Sequence, residues 1–264
     1  YAQYISGGRN SGKVVEVHGG VARNIVEDIA NVELRPTFVT VLEPKGISND
    51  VEDKLAKHKV NTEYIKRSEG GLGTWLAVFD NSGDVVASIS KRPDLSPIKE
   101  VIDKYGDEII SNSDSVVVEI DMEADLLKQI FDLAEKYHKQ IFAVVSNMSI
   151  AMERRDLISR VSCVVCNDQE ASLLFSEDYD GVDIDLLQKR LVHNIANADI
   201  EKIVVTLGDR GAIYADKNGD YGFCPPQKVD VIDTTGAGDT LNGAFCYRIA
   251  MGDSVEDALR YANT

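Results

Sequence analysis

The chain is poor in positive charge: 28 Lys and Arg stand against 44 Asp and Glu, a net charge of −16. Such a surface repels phosphate backbones and anionic lipid, which argues against nucleic acid or a membrane as partner. No apolar run reaches about 18 residues, so no spanning helix is expected. The first residues, YAQYISGGRN, show no basic region followed by an apolar core, so no signal peptide is read there. Cysteine is scarce, four in 264 residues, unlike a secreted disulfide framework, and the compartment is read as cytoplasmic. Cys163 and Cys166 share a C-x-x-C spacing within SCVVC. On a strand, residues three apart face opposite sides, so these thiols should diverge and be buried structural groups. The histidines, His18, His58, His138 and His193, are scattered without an H-x-x-x-H pair, which disfavours a histidine metal site.

What is present is an alternation of apolar strands and amphipathic helices. VVEV at 14–17 reads as a strand ending at Gly19-Gly20. A helix follows, with Val21, Ile25, Ile29 and Val32 on its apolar face and Arg23, Asn24, Glu27 and Asp28 opposite. Further strands are expected at 37–41, 62–67, 116–120, 141–145, 163–166 and 202–207. Helices are expected from 49, capped by Asn49 or Asp50, and at 123–138, 151–159, 183–197 and from Ser254. GTWLAVFD and DVVASIS flank Asn81-Ser82-Gly83 and form one hairpin, while GAIYAD and YGFC form another over Asn218-Gly219. Repeated strand–helix units with apolar strands predict an α/β fold with a mostly parallel central sheet covered on both faces. The core is expected over 18–72 and 91–264, with 1–17 and 73–90 forming a small β lid.

The sharpest chemical signal is VDVIDTTGAGDTLNG at 229–243. An apolar strand leads through Gly236-Ala237-Gly238 to Asp239 and a helix whose apolar side is Leu241, Ala244, Phe245 and Ile249, ending at Gly252. The glycines allow several N–H groups to converge at the positive end of that helix, a natural anion site. Asp239 then sits beside the same spot, where a carboxylate can take a proton from a hydroxyl nucleophile. The plain alternative is an ordinary turn followed by a first-turn acid favoured by the helix dipole. A dinucleotide fingerprint fails because the third glycine position is Leu241, and no Walker-type loop is present.

The full string, with Asn242-Gly243-Ala244-Phe245 after it, resembles the C-terminal signature of the PfkB-type, or ribokinase-like, carbohydrate kinases. Gly19-Gly20-Val-Ala-Arg-Asn24 resembles that family's substrate motif, Asn167-Asp-Gln-Glu170 its N-x-x-E motif, and Thr206-Leu-Gly208-Asp-Arg-Gly211 its nucleotide stretch. GGVARNIVEDIANV and the strands at 73–90 look most like the pseudouridine kinase branch. Lys91-Arg92-Pro93 departs from it, standing where an acidic stretch is expected, and SNMSIAMERR is also unusual.

The resemblance implies an ATP- and Mg²⁺-dependent kinase acting on a hydroxymethyl group of a sugar or nucleoside, with pseudouridine favoured. Another furanose or phosphosugar kinase, or a non-catalytic nucleotide- or sugar-binding protein on the same fold, are the alternatives. It implies Asp239 as catalytic base and Gly236, Ala237 and Gly238 as the anion hole. Gly19, Gly20, Asn24 and Asp239 would meet the substrate, and Arg23 would either touch it or be a solvated helix residue. Thr206, Gly208, Gly211, Val231 and Ile232 would line the nucleotide site. Asn167 and Glu170 would organise Mg²⁺ through water, although Asn-x-x-Glu is equally a helix capping box. Asp233 and Thr235 would hold a monovalent cation, K⁺, and a homodimer through the lid is expected. No counterpart of the family's first-strand aspartate precedes Gly19, and the last helix carries an apolar face of Val255, Ala258, Leu259 and Ala262 with no stop signal. The protein is therefore expected to extend beyond both ends of this sequence.

Overall fold

The computed structural model describes residues 4–80, 85–145, 148–228 and 236–263. Its centre is a six-stranded sheet of β5 (Ser115–Glu119), β6 (Gln140–Val144), β7 (Cys163–Asn167), β8 (Lys202–Thr206), β9 (Ala212–Asp216) and β10 (Tyr221–Cys224). The order is β10-β9-β8-β7-β6-β5, with β5 to β8 mutually parallel and β9 and β10 added antiparallel. The expected mostly parallel α/β sheet is what forms.

Side chains alternate between two apolar cores, as the two-residue period of a strand requires. Ile141, Ala143, Val164, Cys166, Ile203 and Val205 face one core. There they meet α4 (Ala124–Lys136) and α8 (Ile184–Asn197) through Leu127, Phe131, Leu187 and Leu191. Phe142, Cys163, Val165 and Val204 face the other, against Leu241, Phe245, Ala258 and Leu259 of α9 (Ala237–Ala250) and α10 (Val255–Ala262). Cys163 and Cys166 thus lie on opposite faces, and burial pushes the Cys163 thiol up to about 12 and Cys166 well above its ordinary value. They are inert core groups.

Before the sheet, α1 (Val21–Asn31) packs along α9, and α2 (Ile47–Lys57) covers a small parallel pair, β1 (Val41–Leu42) with β2 (Lys66–Arg67). Gly243 permits the α1–α9 approach: a Cβ there would stand 3.2 Å from Asp28 Cβ and 3.4 Å from the Ile25 carbonyl. β3 (Thr74–Phe79) and β4 (Val85–Lys91) pair antiparallel in a sheet of their own, with a register shift at Val78/Phe79. The turn at 81–83 lies outside the described residues.

Several expectations need correction. Residues 14–17 form no strand; Val14, Val15 and Val17 stay exposed, and the hairpin offers them no pairing, so they do not add a strand to the lid. The buried face of α1 is Ile25, Val26 and Ala30, not the 21/25/29/32 set, because Val26 and Ala30 pack with Leu42 of β1 and Val51 and Leu55 of α2. α2 begins at Ile47 after Gly46, so Asn49 and Asp50 lie within the helix and do not cap it; Ser48 is fully buried and its Oγ accepts from the Glu43 N–H at 3.0 Å. The runs at 37–41 and 62–67 shrink to the two-residue β1 and β2 plus one Thr37–Asn61 bridge. Ser254 caps α10 as expected, accepting from the Asp257 N–H at 3.1 Å. The face of α10 is packed, with Ala258 and Leu259 buried and Val255 and Ala262 partly so.

Candidate active site

Two polar clusters gather the residues singled out in the sequence. The first lies where the N-termini of α1 and α9 meet. Gly236, in the left-handed region at φ 84°, precedes α9 and directs the chain into the turn that carries Ala237, Gly238 and Asp239. Asn24 Nδ2 donates to Asp239 Oδ2 at 2.6 Å, joining residues 215 positions apart. Partial burial raises the Asp239 carboxyl above its ordinary value, and the nearby Asp28 adds to this; the Asn24 hydrogen bond and the Arg23 charge pull it back. Asp28 is raised for the same first reason, opposed by its hydrogen bond from Thr240. Gly19, Gly20, Asn24, Gly236, Ala237 and Asp239 line one open cleft that runs beneath the β3–β4 hairpin.

Gly20, at φ 103°, ends the loop before α1 and has no side chain to cap it. The cap comes from elsewhere: Glu119, at the carboxyl end of β5, accepts from the Ala22 N–H at 2.9 Å through Oε1. This satisfies one of the free N–H groups of the first turn. Glu119 was missed in the sequence, although an acid closing the apolar run VVVEI is the signal that marks it. Arg23 is not a solvated helix residue, and it lines the same cleft as Asn24 and Asp239. Its side chain is only 12% exposed and bonds to Glu27 and to Asn24 Oδ1, with further bonds to the Gly19 carbonyl at 3.0 Å and the His18 carbonyl at 3.3 Å. Where the hairpin rejoins the core, Arg92 pairs with Asp121 at 2.7 Å and Lys91 with Glu43 at 3.1 Å. These partners occupy the basic residues that depart from the family pattern.

The second cluster sits at the carboxyl ends of β7 and β8, where Asn167 and Thr206 are neighbours across the ladder. Asn167 Oδ1 accepts from the Glu170 N–H and Glu170 Oε2 from the Asn167 N–H, both at 2.8 Å, a complete capping box for α7 (Asp168–Phe175). Burial raises the Glu170 carboxyl, and the Asn167 N–H holds it back. Gly208 and Gly211 bracket a short 3-10 turn whose Arg210 reaches Asp168 Oδ2 at 3.3 Å. Among the described residues no group of three or more His, Cys, Asp or Glu gathers to hold a metal. Oxygen donors at Asn167 and Glu170 do suit a hard cation kept largely in its own water. Val231, Ile232, Asp233 and Thr235 lie outside the described residues.

The model of the pfkB family of carbohydrate kinases matches residues 6–264. The chain belongs to that family. It is an ATP-dependent sugar or nucleoside kinase. It is 28% identical over 258 residues to the guanosine-inosine kinase of Exiguobacterium acetylicum, covering 96% of this chain and 83% of that protein. It is 22% identical to the pseudouridine kinase of Escherichia coli, covering 96% and 80%. In fold it matches the structure of Arabidopsis thaliana ribokinase complexed with ribose and ATP, with a TM-score of 0.79, 19% identity and coverage of 93% and 78%. Among the described residues no helix is long and apolar enough to cross a membrane.

Proposed function

We propose that this kinase phosphorylates the hydroxymethyl group of a nucleoside, with Asp239 as general base. The observation that carries the reading is the Asn24–Asp239 contact at the start of α9, open to the cleft. A carboxylate there takes the proton from the hydroxyl as its oxygen attacks the γ-phosphorus of ATP and ADP leaves. The developing charge meets the backbone N–H groups of Gly236, Ala237 and Gly238 at the positive end of the helix. Phosphoryl transfer asks mainly for such positioning and neutralisation. Raising the Asp239 carboxyl makes it a stronger base than an ordinary aspartate.

Pseudouridine is the substrate the sequence favours, while the higher identity to a guanosine-inosine kinase supports nucleosides as the class. Thr206, Gly208, Gly211, Val231 and Ile232 are assigned to the nucleotide by the family resemblance of the sequence. Asn167 and Glu170 would hold Mg²⁺ through water; that ion supplies charge neutralisation for the phosphates when bound. Asp233 and Thr235 are assigned to K⁺ on sequence alone. The β3–β4 hairpin is read as a lid over residues 18–72 and 91–264. Its exposed Trp75, Leu76, Phe79 and Ile89 support a homodimer through that lid. The test is ADP release from Mg-ATP with pseudouridine, guanosine, inosine, ribose and a phosphosugar, with and without K⁺. Turnover on the sugars alone would refute the nucleoside reading.

A further inference from the structure

Arg23 lines the cleft beside Asn24 and Asp239, and four groups hold its side chain there. Its guanidinium donates to Glu27, to Asn24 Oδ1 and to the carbonyls of Gly19 and His18. Glu27 is held in turn by Lys54 at 2.7 Å, with His58 Nε2 at 3.7 Å. Glu27 is as enclosed as Arg23, at 12% exposure, and its carboxyl sits below the ordinary range: burial raises it, and the Lys54 and Arg23 contacts outweigh that. A chain of contacts therefore runs from α2 through Glu27, Arg23 and Asn24 to Asp239. A side-chain amide has one accepting and one donating end. With the guanidinium on Oδ1, the Nδ2 end is left facing Asp239. A flipped amide would set its N–H₂ against a cation and its oxygen against a carboxylate.

We propose that Arg23, anchored by Glu27, is a positioning residue that fixes the sense and rotamer of the Asn24 amide and thereby the orientation of the Asp239 carboxylate. This rests on the reading of Asp239 as the base for its consequence in turnover, but not for the contact itself. The function fits the location: Gly19 and Gly20 leave no side chain to hold Asn24 from the loop, and α1 supplies the hold itself, through Arg23 beside Asn24 and Glu27 one turn on. Other charged groups face the same spot. Asp28 lies beside Asp239 and takes the Thr240 hydrogen bond, and Glu119 caps α1 from β5.

Two measurements separate this role from simple support of α1. In the first, the Asp239 carboxyl is titrated by carbon NMR in the ligand-free full chain, with Asp239→Asn used to assign the signal. Arg23→Met, which keeps length but donates nothing, should move the midpoint upward, because both the oriented Asn24 donor and a nearby positive charge are lost. Arg23→Lys should restore part of the shift, and Glu27→Gln should give a smaller shift of the same sign. In the second, Arg23→Met should lower kcat about 10- to 100-fold with KM little changed, the scale of a misplaced catalytic group. The acid limb of its pH–rate profile should move up with the carboxyl midpoint. An unmoved midpoint in folded Arg23→Met overturns the proposal, as does a raised KM with unchanged kcat, which would make Arg23 a substrate ligand. Should Arg23→Met fail to fold, Arg23→Lys and Glu27→Gln decide by the same midpoint. Full turnover in Asp239→Asn would refute the base while leaving the titration result standing, so the two readings fail separately.

Discussion

The two polar clusters differ in the range of their bonds. At the α1–α9 junction the contacts are long-range: Asn24 reaches Asp239, and Glu119 reaches Ala22 across 97 positions. At the ends of β7 and β8 Asn167 and Glu170 bond locally, three positions apart, although Arg210 reaches Asp168 across 42. Local polar bonds are what any helix start provides. A long-range bond between a partly buried amide and a carboxylate raised by desolvation is not needed to make either helix. The first cluster thus points to chemistry, while capping by itself accounts for the Asn167–Glu170 bonds of the second.

The strongest test of that contrast is Asp239→Asn. Kinetics should show kcat lower by at least about 10²-fold, with nucleotide binding and circular dichroism retained. The corresponding blow to the second cluster is Gly211→Ala. Gly211 sits at φ 95°, and a Cβ there would meet the Cys224 carbonyl oxygen at 2.2 Å. Backbone must move, so urea unfolding should show a loss of about 2 kcal/mol, together with weaker ATP binding. Wild-type stability in Gly211→Ala would show that the turn after β8 adapts freely.

Glu170→Gln sharpens the comparison instead of breaking it. Gln serves a capping box as well as Glu, so unfolding should be nearly unchanged. If the carboxylate also orders water around Mg²⁺, the Mg²⁺ concentration for half-maximal turnover should rise about 10-fold, as when an outer-shell partner is lost. Unchanged Mg²⁺ dependence would leave Asn167 and Glu170 as a cap alone.

These contrasts also show what could be read from the sequence. The central strands were legible because apolar runs such as VVVEI and KIVVTL have one reading when both faces are buried. The β3–β4 hairpin and the Ser254 cap were legible for the same local reason. The face of α1 was not: Arg23, Asn24, Glu27 and Asp28 look like a solvated side, and only their neighbours in the fold, α9 against Asn24 and Asp28 and Lys54 of α2 against Glu27, enclose it. Residues 14–17 failed in the opposite sense. Their apolar content suggests a strand, but a strand exists only where an edge is there to pair with. The motifs singled out Asn24 and Asp239, while the bond between them and the contacts of Glu119 and Arg23 required the fold.

The smallest expected effect concerns pH and stability at the first cluster. The Asp239 carboxyl titrates above its ordinary value of 3.8 in the folded chain, chiefly from desolvation. A raised folded value means that folding favours the protonated carboxyl. That stabilisation is fully present below the unfolded value and is lost as pH rises through the folded one. At neutral pH the ionised Asp239 therefore works against the fold. Asp239→Asn, neutral at every pH, should unfold at the same or slightly higher temperature than the wild type at pH 7, despite its loss of turnover. The difference should close as pH falls below about 4, where an ordinary carboxyl is itself protonated. Thermal scans of both proteins from pH 4 to 8 measure it. A wild type more stable than Asp239→Asn at neutral pH would mean that the Asn24 hydrogen bond outweighs burial, and that Asp239 is held for structure as much as for chemistry.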